Sequence, residues 1–428
     1  MTVQGSKPPV VITGMGVVSS IGLDIGSFEA ALRAGQRGVH ALQPEEMPAV
    51  PAPRVGGAVR DFSWSQVLLG LKESHPLVHH RAVTNLRAPT RAQELTLAAA
   101  IQASAGAGLL DTEPQDNVAL VIAGSNLAQS YTVATARKYD REPAYIHARY
   151  GYQFLDTHLI GLLSSIIGLR GAGLTVGGAA ASGNAALVVG HNLVSSGMAE
   201  ACLVVGAVSD LSEVEWQGLR LIGATVPETV PLPPERMCRP FDSAAAGFVP
   251  GEGSGAVVIE TTQRALARGA KIHATLVGGS IRMDGTPLPA PSADGEKRAM
   301  EAALCAAELT PASIGYINAH GTSTPQGDVA ECQAIRDLFG GHHQAVWINS
   351  TKEYTGHTFT AAGVIELIAT VVQLAGGFLH SNPNLEDPVV DDLRFVGPST
   401  ASGEFRYALS NSFGFAGICS SVVVGRYE

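Results

Sequence analysis

Two histidines, His320 and His357, stand shortly after predicted buried strands. His320 lies in the run 318–324 (NAHGTST), and His357 ends the run 350–357 (STKEYTGH). A histidine just past a strand end is held rigidly enough to serve as a fixed hydrogen-bond donor. Two donors aimed at one oxygen stabilise negative charge that develops on that oxygen in a transition state. The pattern therefore favours oxyanion chemistry at a point shared by the two loops.

Other residues whose side chains can take part in catalysis or binding follow the same strand ends. Lys352 shares the second histidine's run, and Glu331 follows the first run. The run 411–417 (NSFGFAG) carries Phe413 and Phe415 and separates the last two predicted strands. We expect Lys352 to be buried and functional, and we expect Phe415 to gate a pocket.

The elements that position these loops occur twice. A predicted strand, glycine-bearing turn and helix over 174–194 is matched by another over 347–374. The repeat divides the chain near residue 265, which predicts an N-terminal half of residues 1–265 and a C-terminal half of residues 266–428. Two similar α/β halves predict alternating layers of helix and sheet with a site between the halves.

Apolar runs and their period give the expected element bounds. The predicted strands are 10–14, 118–123, 174–177, 201–208, 255–260, 272–278, 315–318, 347–349, 407–409 and 421–425. The predicted helices are 25–34, 90–107, 182–196, 298–307 and 361–376. A glycine-rich turn is expected after residue 14, and the proline-rich stretch 41–80 predicts an irregular insertion.

Composition excludes several classes of protein. The 428 residues are 46 % apolar and 15 % charged with a formal net charge of −10 and no basic run, so we expect no nucleic-acid binding. No unbroken apolar stretch has membrane-spanning length, and residues 1–9 lack a secretory pattern, so a cytoplasmic protein is expected. The five cysteines are scattered, which predicts buried thiols and neither disulfides nor a metal site.

Several runs in their order along the chain resemble the β-ketoacyl synthases of fatty-acid and polyketide assembly. These runs are 239–242 (RPFD), 251–253 (GEG), 318–324, 350–357 and 411–417. The resemblance covers essentially the whole chain. It implies a thiolase fold of duplicated α-β-α-β-α layered halves. It also implies a homodimer in which the strand near Leu174 lies close to the partner chain.

The family's mechanism assigns roles to matching residues. A cysteine accepts an acyl group from an acyl carrier protein, and two histidines bind the carbonyl of a malonyl thioester. The resemblance implies these roles for the matching positions: the histidine pair for His320 and His357, a supporting ion pair for Lys352 and Glu331, pantetheine binding for Thr322 and Thr324, substrate binding for Phe413, and an oxyanion hole for the N–H groups of residue 180 and Phe415.

The cysteine position falls on Ala180, in the strand-to-helix turn 175–184 (TVGGAAASGN). Alanine forms no acyl-enzyme, so the condensing half of the reaction has no nucleophile. The turn and the stretches 154–158 (FLDTH) and 200–211 resemble the decarboxylating ketosynthase homologues of polyketide β-branching cassettes. Those proteins convert malonyl to acetyl on a carrier protein and carry serine at this turn.

The favoured hypothesis is decarboxylation of malonyl-acyl carrier protein to acetyl-acyl carrier protein without condensation. Two alternatives stay open: a condensing β-ketoacyl synthase whose cysteine has been replaced, and a non-catalytic subunit like a chain-length factor. Natural serine or cysteine at position 180, with alanine introduced by engineering, is also open. The expected partner is an acyl carrier protein, which brings its own phosphopantetheine arm, and no cofactor of the chain's own is expected.

Overall fold

A computed structural model describes residues 8–428, so residues 1–7 of the predicted N-terminal half lie outside it. The strands are β1 (Val10–Ser19), β2 (His40–Ala41), β3 (Val55–Gly56), β4 (Val118–Ala123), β5 (Gly173–Val176), β6 (Ala201–Gly206), β7 (Gly253–Thr261), β8 (Ala274–Met283), β9 (Ile314–Asn318), β10 (Trp347–Asn349), β11 (Phe378–Leu379), β12 (Arg394–Phe395), β13 (Ala401–Ser402), β14 (Tyr407–Gly414) and β15 (Ile418–Gly425).

Eleven of these strands form one large sheet, and β2–β3 and β11–β13 form two small ones. Helices pack on both faces of the large sheet. They are α1 (Ile25–Ala34), α2 (Trp64–Ser74), α3 (Pro76–Asn85), α4 (Arg91–Gly106), α5 (Gln129–Arg141), α6 (Tyr150–Gln153), α7 (Thr157–Ile167), α8 (Ser182–Ser195), α9 (Glu213–Leu221), α10 (Thr262–Ala267), α11 (Ala293–Ala306), α12 (Pro325–Phe339), α13 (Lys352–Thr355) and α14 (Ala362–Gly376).

The two halves have the same strand order. In the first half the order is β5-β4-β6-β7-β1, and in the second it is β10-β9-β14-β15-β8, with β12 added at the far edge. In each half the first three strands are parallel and the last two pairings are antiparallel. The antiparallel pair β1·β8 joins the halves. This identity of topology confirms the predicted duplicated fold.

Side chains alternate between two buried faces along the strands. On β4, Ala119, Val121 and Ala123 enter a central core, whereas Val118, Leu120 and Ile122 enter an outer core. The central core contains the apolar residues of α8 and α14. The outer core of the first half contains those of α4 and α7, and a third core contains those of α11 and α12. The order of layers is therefore α-β-α-β-α, as expected.

Most element bounds lie within a few residues of prediction, and the exceptions have physical reasons. Strand β1 does not end in a turn at Gly14 but runs through Gly14 and Gly16 to Ser19. A Cβ on either glycine would lie 2.1 Å from a carbonyl oxygen of α4, so these glycines permit close packing of helix on strand. The stretch 41–80 is not wholly irregular, since it holds α2 and the start of α3.

One segment in the described residues, Phe359–Gly376, is long and apolar enough to cross a membrane by length and composition. The structure buries 83 % of this segment in the central core, between the strands of the two halves. Its apolar surface is therefore accounted for by the central core.

Candidate active site

Each half enters its central helix, α8 or α14, through a short turn that contains a left-handed residue. The first turn follows β5 directly, whereas the second follows α13, which comes after β10. We call residues 177–181 the N-half elbow and residues 357–361 the C-half elbow. Ala179 has φ 48° in the first and Phe359 has φ 52° in the second. A Cβ on Gly183 would lie 2.8 Å from the backbone of Gly363, so only glycine allows the two helix starts to pack this closely. The two elbows therefore open onto one place between the halves.

A cleft of about 1130 Å³ lies at this place. Every residue that the sequence proposed for the site lines it except Lys352, which lies behind the wall. The residues used below that line the cleft are Gln129, Ala180, Asp284, Glu296, His320, Gly321, Thr322, Thr324, Asp328, Glu331, His357, Phe359, Thr360, Phe413, Gly414, Phe415 and Cys419.

The structure brings the two histidines together. The ring centroids of His320 and His357 are 5.7 Å apart, with the ring planes at 83°. The Nδ1 of His357 accepts the Phe359 N–H at 3.2 Å, and the Lys352 ammonium lies 3.3 Å from the Nδ1 of His320. Because each Nδ1 faces a donor, each neutral ring carries its proton on Nε2. Both imidazoles are therefore set as Nε2–H donors.

The same surroundings keep both histidines uncharged. Burial lowers the pKa of His320 well below the ordinary value, and the positive charge of Lys352 and the neighbouring His357 lower it further. Burial followed by the charge of Lys352 lowers the pKa of His357 in the same way. Neutral donors suit an oxygen that gains negative charge during reaction, because they stabilise the charge without giving up a proton beforehand.

Lys352 does not form the expected ion pair with Glu331. Its ammonium pairs with Glu366 of α14 and also donates to the His320 carbonyl at 2.6 Å. With the His320 ring as third acceptor, all three protons of the ammonium have partners. Glu366 was missed in the sequence, although a single carboxylate in the otherwise apolar helix α14 was the available signal.

Glu331 instead holds the backbone of the first histidine loop. Its oxygens accept the N–H groups of His320 at 2.9 Å and Gly321 at 2.8 Å, and the Asn411 amide at 3.0 Å. Burial raises the pKa of this carboxyl, and those three donors lower it in part. Glu331 therefore orients His320 through the main chain and does not neutralise Lys352.

The two threonines face the cleft from the same loop. The hydroxyls of Thr322 and Thr324 are 2.8 Å apart, and Asp328 accepts the Thr322 N–H at 3.0 Å. Asp328 also accepts the Phe241 N–H at 2.7 Å, so it connects the loop to the 239–242 run. Burial raises the pKa of Asp328 to about 7.

The turn between β14 and β15 closes the site over the N-half elbow. A Cβ on Gly414 would lie 2.4 Å from the Gly178 carbonyl and 3.3 Å from the Ala181 nitrogen, so the turn rests directly on the elbow. Phe413 packs edge-on against the His320 ring at 5.6 Å, whereas Phe415 is 41 % exposed. Phe413 therefore forms part of the cleft wall, and the gating role of the exposed Phe415 stays a prediction.

Position 180 places no reactive atom in the cleft. The Ala180 methyl is half-buried at the N-half elbow. Cys419 lines the cleft from β15. It is 3 % exposed, and burial together with nearby Glu296 raises its pKa to about 12, so almost no thiolate forms at neutral pH. Cys419 therefore does not replace the missing nucleophile.

Two family matches divide the chain much as its topology does. Residues 7–265 match the β-ketoacyl synthase N-terminal domain, and residues 273–386 match the β-ketoacyl synthase C-terminal domain. The chain belongs to the β-ketoacyl synthase family. It is therefore a ketosynthase-family enzyme with a thiolase-type fold.

Curated relatives of this ketosynthase include both decarboxylating and condensing enzymes. It is 34 % identical over 421 residues to the polyketide biosynthesis malonyl-ACP decarboxylase PksF of Bacillus subtilis, covering 98 % of this chain and 97 % of the relative. It is 33 % identical to 3-oxoacyl-[acyl-carrier-protein] synthase 2 of Vibrio harveyi, covering 98 % of each. The relatives therefore establish the family but do not distinguish decarboxylation from condensation.

Solved ketosynthases share the fold over the whole chain. A β-ketoacyl synthase from Burkholderia phymatum has a TM-score of 0.86 at 28 % identity, covering 98 % of this chain and 100 % of that one. A type II polyketide synthase ketosynthase, AntDE, in complex with its acyl-carrier protein AntF, has a TM-score of 0.83 at 25 % identity, covering 99 % and 100 %.

Proposed function

We propose that this ketosynthase decarboxylates malonyl-acyl carrier protein to acetyl-acyl carrier protein in polyketide β-branching, without condensation. One observation carries the proposal: two neutral histidine donors are in place while the N-half elbow offers only Ala180. The first feature supports loss of carbon dioxide from a malonyl thioester. The second removes the acyl-enzyme that a condensing reaction needs.

The chemistry follows from the donors. The malonyl thioester oxygen accepts the Nε2–H groups of His320 and His357. As the bond to the carboxylate carbon breaks, its electron pair enters the enolate and negative charge grows on that oxygen. Donors that are already oriented stabilise this charge more than they stabilise the ground-state carbonyl, so they lower the barrier. Lys352 and Glu331 keep His320 at the required place, one through its ring and carbonyl and the other through its N–H.

The substrate class rests on the cleft and on the relatives. Malonyl on a carrier protein reaches a buried site through a phosphopantetheine arm, for which the paired hydroxyls of Thr322 and Thr324 offer hydrogen bonds. PksF is named as a malonyl-ACP decarboxylase of polyketide biosynthesis, and AntDE was solved with an acyl-carrier protein. We propose the same kind of partner and the same arm for this chain, with no cofactor of its own.

The carrier protein needs a local basic surface, because carrier proteins are acidic and this chain has a net charge of −10. Helix α5 begins at Gln129, which lines the cleft, and carries the exposed cations Arg137, Lys138 and Arg141. We propose that the carrier protein docks there. Binding should weaken as ionic strength rises, since exposed charges are screened over about 8 Å at physiological salt.

We also propose a homodimer across the edge strand β5. Among the described strands, β5 pairs only with β4, and Leu174 on it is 41 % exposed. Phe154 and Leu155 are 43 % and 44 % exposed. An unpaired edge strand beside exposed apolar side chains favours pairing with a second copy. Leu174→Lys should shift sedimentation towards a monomer, whereas Leu266→Lys, at an exposed position of α10, should not.

The deciding experiment is intact-mass analysis of malonyl-loaded carrier protein incubated with the chain. We expect loss of one carbon dioxide with acetyl as the only product. If Ala180→Cys made a β-ketoacyl product while the alanine chain made no acetyl, the enzyme would be a condensing synthase. Obligate co-purification with a second synthase-like chain, without turnover, would instead indicate a partner subunit.

A further inference from the structure

Glu296 is a buried carboxyl group that no neighbouring cation balances. It lies in the first turns of α11 and is 2 % exposed, yet it lines the cleft. Its Oε2 has no hydrogen-bond partner, and no Lys or Arg in residues 8–428 forms an ion pair with it. Burying such a group without partners costs free energy, so its presence calls for a functional explanation.

The helix that carries Glu296 forms the cleft wall beside the histidine pair. Ala299, one turn further along α11, packs with Phe413 and Cys419, which face each other across β14 and β15. Phe413 in turn contacts the His320 ring. Glu296 therefore lines the same cleft as His320, from a helix that packs against the phenylalanine in contact with that histidine.

Burial and the neighbouring carboxyl groups favour the protonated form of Glu296. Burial raises its pKa well above the ordinary value, and the carboxylates of Glu331, Asp328 and Asp284 raise it further. Glu331 and Asp328 come from α12, Asp284 follows β8, and the neighbouring thiol of Cys419 comes from β15. A carboxyl kept neutral by an apolar, negatively charged setting holds a proton that it can deliver at neutral pH.

The proposed reaction needs such a proton. A condensing synthase uses up the enolate by forming a carbon–carbon bond, but Ala180 holds no acyl group for the enolate to attack. The α-carbon must therefore take a proton to become acetyl. The Nε2–H groups of the two histidines serve the oxygen, and the protons of Lys352 are committed to Glu366 and to His320.

Resting on the decarboxylase function proposed above, we propose that Glu296 delivers the proton that the α-carbon takes up after carbon dioxide leaves. In this step the O–H bond of Glu296 breaks and a C–H bond forms with the enolate's π electrons. The thioester carbonyl is restored, and Glu296 is left as a carboxylate. A proton from cleft water then returns it to the acid. No oxidant or second substrate is needed.

The test measures the rate of acetyl formation together with the incorporation of ¹³C into malonyl. Glu296→Gln keeps the shape of the side chain but removes its acidic proton. Malonyl-loaded carrier protein is turned over in ¹³C-bicarbonate, and mass analysis measures both acetyl formed and label entering recovered malonyl. We expect acetyl formation to fall about 100-fold, at the lower end of the range for general acids. We also expect label in malonyl per acetyl formed to rise, because a longer-lived enolate recaptures carbon dioxide. Glu301→Gln, an exposed position of the same helix, should change neither quantity.

The outcomes separate the two proposals. Parent-like acetyl formation by Glu296→Gln would overturn the role of Glu296 and leave the decarboxylase intact. A parallel fall in acetyl formation and in the ¹³C label of recovered malonyl would also overturn it, since such a result would indicate a structural defect. A parent chain that forms no acetyl would overturn both proposals, because no enolate would then exist to be protonated.

Discussion

The two elbows are copies of one structural device, and they differ in what they carry. Both contain a left-handed residue and lead into a central helix, and their helices touch at Gly183 and Gly363. The C-half elbow carries His357 and follows α13, which carries the buried Lys352. The N-half elbow carries Ala180. The duplicated scaffold thus brings two matching elbows to one cleft, but Ala180 matches Thr360 and His357 matches Gly177, so the two elbows carry different groups at different positions.

The two elbows also differ in the interactions that stabilise them. Around the C-half elbow, Lys352, Glu366 and Glu331 are all buried, and their charges are tolerated because they satisfy one another or the backbone. Around the N-half elbow the contacts are between small residues. Substitutions should therefore act through charge in one elbow and through packing in the other.

Lys352→Met should have the largest effect on stability. It leaves Glu366 buried without its cation, which typically costs about 3–5 kcal/mol. Urea unfolding monitored by circular dichroism measures the loss. The double variant Lys352→Met/Glu366→Gln should recover part of it, and Lys138→Met on exposed α5 should cost little. An unchanged unfolding free energy would mean that the pair is not a buried unit.

His357→Ala should have the largest effect on catalysis. It removes a donor from the charge that develops on the thioester oxygen, so kcat for acetyl formation should fall about 10²–10³-fold. His342→Ala, at an exposed position, is the control. A loss of less than tenfold would place the developing charge elsewhere in the cleft.

Gly183→Ala should weaken the contact between the elbows. The added methyl would lie 2.8 Å from the Gly363 backbone, and overpacking of this kind costs about 1–3 kcal/mol. Gly341→Ala has no atom within 4 Å of the new methyl and should be close to neutral. Chemical unfolding measures the free energy of unfolding of each variant. Equal stability would show that the helix starts can separate without cost.

Ala180→Ser should raise decarboxylation modestly. A hydroxyl at the N-half elbow can orient the substrate carboxylate or a water molecule. One good hydrogen bond, at roughly 1.4 kcal/mol for each factor of ten, gives about a tenfold gain. The measurement is the rate of acetyl-carrier formation by intact mass. A lower rate than that of the alanine chain would show that position 180 acts by shape alone.

Acidification should have the smallest effect. The depressed pKa values of His320 and His357 mean that both rings stay neutral as the pH falls through the ordinary histidine value of about 6.5. The rate at saturating substrate should therefore show no loss with a midpoint near 6.5. A loss at that midpoint would mean that one of the rings is exposed to solvent in the working enzyme.

The sequence predicted the duplicated fold because strand and helix periods are local properties. Buried apolar runs located the strands of both halves, and the turn-and-helix pattern repeated visibly. It failed where a glycine's purpose depends on a distant neighbour. Gly14 and Gly16 suggest a turn by themselves, whereas α4 packing against them makes them part of β1.

The sequence by itself determined which groups the protein owns: His320, His357 and Lys352 at strand ends, and alanine at position 180. Only the tertiary structure decided how they pair. It gave Lys352 to Glu366 rather than to Glu331, and it brought Cys419 and Glu296 to the cleft from distant segments. Ion pairs and proton donors are defined within a few ångströms in space, and spacing along the chain does not encode that distance. The low pKa values of the histidines arise in the same way, since burial exists only after the halves have closed.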